Sequence, residues 1–195
     1  MDRIKLFTES SNFLHTVVSE AERNNDAARE LVKGLSEEQL NWKPDAKRWS
    51  MAQCLEHLAV ASGGFNSYFR QTIERARDRW PTTRAVPYRP TFVGGLLIKQ
   101  VVPETTRRFP SPKIFKPADS SAIHDALGIF LNQQDEFVSF VRQSEGIDYN
   151  RARLRSPVTP LMRYSLADAF VVTIVHESRH LAQAARVRAM PSFPN

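Results

Sequence analysis

Residues 165–188 read S-L-A-D-A-F-V-V-T-I-V-H-E-S-R-H-L-A-Q-A-A-R-V-R. Ser165 followed three residues later by Asp168 is a capping pair that opens a helix, and nothing that breaks a helix follows before Arg188. At about 100° per residue, Ala169, Val172, Thr173, His176, His180, Gln183 and Val187 fall in one narrow stripe, so the two histidines are expected on an inward, largely apolar face.

Working back from this helix, three more long segments carry the same period. The first spans 9–33, with Phe13, Val17, Ala21, Ala28 and Leu31 near one face and Gly34 as the residue that ends it. Ser36 and Gln39 have the spacing of a second capping box in the connection that follows. Ser50 and Gln53 start another helix, with Trp49 placed to pack onto Cys54, and Trp80-Pro81 stops it after Arg79. The third long helix is expected to start at 119–121 and to run to Glu145, before Gly146. Seven of the twelve prolines lie between Pro81 and Pro117, which marks a long excursion between the second and third long helices. Within it, residues 92–98, F-V-G-G-L-L-I, are apolar enough to pack on the body as one short helix. With no strand alternation, the pattern predicts an all-α four-helix bundle formed by a single domain over residues 1–195.

Composition narrows the function classes. A chain of 195 residues with 42% hydrophobic and 25% charged residues is ordinary for a soluble domain, and no stretch approaches the roughly 18 apolar residues of a membrane span. Residues 1–7, M-D-R-I-K-L-F, lack the apolar run of a signal peptide, so the expected location is the cytoplasm. The net charge of +6 is concentrated in 70–116 and 151–163 without a zinc finger, a helix-turn-helix or interleaved aromatics. It reads as a solvated basic face rather than a nucleic-acid surface, and the expected partner is a small-molecule substrate. The one cysteine, Cys54, forms no internal disulfide and fits a reducing compartment.

His176-Glu177-Ser178-Arg179-His180 matches the H-E-x-x-H pattern of zinc peptidases. Those enzymes take a third ligand downstream, yet residues 181–195 contain no Asp, Glu, His or Cys. A third ligand therefore has to come from upstream. His57, in an arc with Cys54, Ala61, Phe65 and Tyr68 on the second long helix, is the best candidate, whereas His15 and His124 sit beside polar neighbours and are expected at the surface. Two readings of the histidines stay open at this point: hydrogen-bonded core residues, or ligands of a shared metal ion. Glu177 is a candidate general base, with a structural contact to a neighbouring helix as the alternative.

Residues 41–44, N-W-K-P, residues 49–58, W-S-M-A-Q-C-L-E-H-L, and residues 176–183, H-E-S-R-H-L-A-Q, together resemble the DinB-like superfamily, which includes the YfiT group. The resemblance covers nearly the whole chain and rests on the order and spacing of the three motifs. It implies an up-down-down-up bundle, often dimeric, with a mononuclear divalent metal on three histidines, at positions matching His57, His176 and His180 here. Imidazole suits Zn, Ni or Fe alike. Relatives include transferases and isomerases that use a low-molecular-weight thiol as cosubstrate, which makes a metal-dependent thiol S-transferase or hydrolase the expected activity. A non-catalytic stress-response or binding protein with a structural metal is the alternative. The excursion, with residues 109–117, is similar to that of one large subgroup.

Overall fold

The computed structural model describes residues 3–103, 115–117, 123–159 and 161–194. Most of them are helical: α1 (Arg3–Thr8), α2 (Phe13–Val32), α3 (Glu37–Asn41), α4 (Met51–Arg79), α5 (Phe92–Val101), α6 (Ala126–Gln143) and α7 (Leu166–Arg188), with two short strands, β1 (Arg153–Arg155) and β2 (Arg163–Ser165).

The helix starts follow from local chemistry. Ser36, Ser50 and Ser165 each accept from the backbone amide three residues on, and the side chains of Gln39, Gln53 and Asp168 reach back to the cap amide. Gly34 and Gly146 take the left-handed backbone at the ends of α2 and α6, where a Cβ would be strained.

Three expectations change. The helix expected over 9–33 starts at Phe13, where Asn12 caps α2 by accepting from the amide of His15, and a separate short helix, α1, precedes it. The third long helix opens later than expected, at Ala126 behind Asp125, whose carboxylate accepts from the amide of Gly128. The expected start at 119–121 lies outside the described residues, as does most of 109–117. The link before α7 contains a two-stranded antiparallel pair, with Leu154 opposite Tyr164. Both of those side chains are buried, while Arg153, Arg155 and Arg163 stay exposed.

The four long helices carry the body: α4 packs on α6 and α7, and α2 packs on the same two. At one end Phe69 of α4 meets Phe137 and Phe140 of α6 and Phe170 of α7, with ring centroids 5.3–6.1 Å apart. Aromatic pairs of this kind add about 0.5–1.5 kcal/mol each beyond their buried area. Two further clusters pack separately from this aromatic group, one with Ala28, Ala52, Leu55, Leu58 and Phe130, the other with Met51, Cys54, Ala184 and Val187. α5 covers the short helix expected over 92–98 and packs against α7.

Candidate metal centre

The fixed start of α4 at Ser50 sets His57 two turns into that helix, and the fixed start of α7 at Ser165 sets His176 and His180 one turn apart in its second half. The two helices pack together. As a result the three imidazoles converge, with one candidate ligand atom from each all within 4.8 Å of one another. Nε2 of His57 stands 3.3 Å from Nε2 of His176. The rings are mutually edge-on, with centroids 4.5 Å apart for His57–His180, 4.6 Å for His176–His180 and 5.1 Å for His57–His176. Among the described residues this is the one group of three or more ligand-type side chains with metal-holding spacing.

His57 and His180 are buried, and His176 is half-buried. Trp49, just ahead of the α4 cap, covers one side of the cluster: its ring lies 4.8 Å from His57 and stacks 5.7 Å from His180. Nδ1 of His57 is 2.6 Å from the backbone carbonyl of Phe115. A carbonyl only accepts, so Nδ1 carries the proton and Nε2 turns its lone pair towards the other histidines. Gln183 approaches His180 and favours its protonation weakly. Nδ1 of His180 nevertheless stays buried without a hydrogen-bond partner.

The electrostatics favour neutral rings. Burial lowers the pKa of His57, partly offset by the Phe115 carbonyl. Burial, then His57 and Arg179, lower His176 to about 3. Burial, then His176, His57 and Arg179, hold His180 well below its ordinary value. Neutral imidazoles are the form that binds a metal. They also fix a pH dependence for the metal-free protein. Below about 6.5 the unfolded chain takes up protons that the folded chain refuses, so stability falls as pH drops. Chemical unfolding of metal-free protein at pH 7.5, 6.5 and 5.5 is expected to show a midpoint that declines with acidity. A decline no steeper in wild type than in His57→Ala or His180→Ala, which share every other titrating group, would contradict neutral rings in the fold.

The other residues singled out from the sequence separate cleanly. His15 and His124 are exposed, as expected. Cys54 is buried beside Met51, Ala184 and Val187, and burial, despite Arg186, pushes its thiol up to about 12. It packs as a small apolar residue and is not one of the grouped ligands. Arg179 donates to the carbonyls of Gln100 and Val102, closing the C-terminal end of α5 against α7. Glu177 is 1% exposed and faces α2 and α6, where Oε2 accepts from Asn24 at 2.9 Å and from Gln134 at 3.1 Å. Sequence reasoning did not find the Phe115 carbonyl or the Trp49 wall over the rings.

A family model described as the DinB superfamily matches residues 20–184, a span that includes all three histidines. No curated protein and no solved structure matches the chain.

Proposed function

The chain belongs to the DinB superfamily, and from that premise we propose that His57, His176 and His180 together hold one divalent transition-metal ion, Zn, Ni or Fe, in a metal-dependent thiol transferase. The observation that carries the reading is the 3.3 Å between Nε2 of His57 and Nε2 of His176. Two nitrogens bound ~2.0–2.1 Å from one tetrahedral ion stand about 3.3 Å apart. The partnerless Nδ1 of His180 and the lone pair that Phe115 keeps on His57 support it further. Held by these three neutral ligands, such an ion would supply the Lewis acidity that makes a thiol or water nucleophilic near neutral pH.

Glu177 supports transfer over hydrolysis in this reading. One oxygen of its carboxyl accepts from Asn24 and Gln134, and the group faces α2 and α6, which argues against a general base for water. A thiol, far more acidic than water, needs no such base, so a low-molecular-weight thiol acting on a small electrophilic substrate fits these residues better. The same reading takes residues 1–195 as one cytoplasmic domain, an up-down-down-up bundle that pairs as a homodimer.

Elemental analysis of untagged protein tests the site. Near-stoichiometric metal is expected, lost in both His57→Ala and His180→Ala, and unchanged metal content in those variants would end the proposal. Incubation of the loaded protein with low-molecular-weight thiols and electrophiles then tests the activity. Metal-dependent thiol consumption is expected; stoichiometric metal with no turnover would leave the ion a structural part of a binding protein.

A further inference from the structure

His57 depends on a backbone carbonyl from a segment remote in sequence, and that segment is seated by a glycine. The helical position of Gly64 lies two turns beyond His57 on α4. A Cβ there would meet Cε1 of Phe115 at 2.7 Å and Cζ at 3.3 Å, so the phenyl ring occupies the space that only glycine leaves. Phe115 is 7% exposed, and its carbonyl is the atom that takes Nδ1–H of His57 at 2.6 Å. Ring and carbonyl belong to one residue, so the seat at Gly64 fixes where the acceptor stands.

We propose that Gly64 and Phe115 are positioning residues of the histidine cluster: the ring of Phe115, docked on Gly64, sets its own carbonyl to hold His57 in the Nδ1–H form with Nε2 free to bind a metal ion. The inference rests on the three-histidine reading for its consequence in metal affinity, but the proton position on His57 is a property of the metal-free chain. A neutral histidine without a partner favours the proton on Nε2, which would turn a donor rather than a lone pair towards His176 and His180. Partners of this kind, one bond removed from the ion, typically change metal affinity by about 10–100-fold.

The experiment compares wild type, Gly64→Ala, Phe115→Ala and Gly95→Ala, the last at a helical glycine where an added Cβ meets nothing within 4 Å. Nitrogen-15 NMR of the metal-free proteins reads the proton position on His57, and competition with a chromophoric chelator reads Zn²⁺ affinity. Wild type and Gly95→Ala are expected to show Nδ1–H on His57. Gly64→Ala and Phe115→Ala should shift it to Nε2–H and weaken Zn²⁺ binding by about 10–100-fold, with helical circular dichroism preserved. If Gly64→Ala does not fold, Phe115→Ala carries the test, since it keeps the backbone and deletes only the anchor. Wild type with Nε2–H on His57, or both variants with wild-type proton position, would overturn the inference. A wild type that shows Nδ1–H but binds none of Zn²⁺, Ni²⁺ and Fe²⁺ would defeat the metal reading and leave the positioning role standing.

Discussion

Gly94→Ala is expected to destabilise the protein by roughly 3 kcal/mol or more, a fall in melting temperature of about 6–12 °C for a chain of this size. A Cβ at position 94 would lie 2.1 Å from Cγ of Asp168 and 2.4 Å from each carboxylate oxygen. Flexible side chains yield to such an intrusion, but Asp168 is fully buried and held from several directions. It accepts from the Tyr88 hydroxyl at 2.9 Å, the Thr91 hydroxyl at 2.7 Å, the Thr91 amide at 3.3 Å and the Ser165 amide at 3.1 Å. Burial, then the charge of Asp168, raises the pKa of Tyr88, so the phenol stays a donor throughout the accessible range. Moving the carboxylate would break the α7 cap and the attachment of α5 together. Urea unfolding, with hydrogen exchange across α5, measures both. Gly95→Ala, with open space beyond it, is expected to be neutral or slightly stabilising, because alanine favours a helix over glycine. Equal melting temperatures for the two variants would show that the Asp168 clasp gives way cheaply.

Asp168 also illustrates what was legible in the sequence. Its part in the capping box is a three-residue relation and could be read directly, whereas its bonds to Tyr88 and Thr91 join positions about eighty residues apart. The same division runs through the site. His176 and His180 share a face because the helical repeat places them there, and His57 was identifiable by residue type and position. The Phe115 carbonyl was not, since every residue carries one and only the folded chain chooses among them. The apolar stripe was right in period and offset in phase: Val172 and His176 are half-buried, while Ile174, Glu177 and Leu181 lie deeper. A contact of Glu177 to a neighbouring helix was one of its two readings, but its amide partners were not legible, because they lie on two other helices. The β1–β2 pair escaped notice because three-residue strands are too short for alternation to register.

Glu177 is expected to separate charge from shape. Burial, offset in part by Asn24 and Gln134, raises its pKa to about 7. In the unfolded chain the same carboxyl ionises near its ordinary 4.5. Between those two values the folded protein keeps a proton that the unfolded chain has released. Its contribution is therefore fully present below about 4.5 and is lost as pH rises through about 7, where the fold must bury a negative charge. Glu177→Gln keeps an oxygen acceptor for Asn24 and Gln134 and removes the charge. Relative to wild type, the variant should gain about 2 kcal/mol in unfolding free energy between pH 5.5 and pH 8, at about 1.4 kcal/mol for each tenfold change in acidity. Glu177→Ala instead leaves two buried amide donors and a cavity, and should cost roughly 2–4 kcal/mol at either pH. Urea titrations of the three metal-free proteins at both pH values decide this, and metal content should be unchanged in Glu177→Gln because the carboxyl faces α2 and α6. A Glu177→Gln variant whose stability tracks wild type across pH, yet which loses all thiol turnover, would return this carboxylate to the reaction.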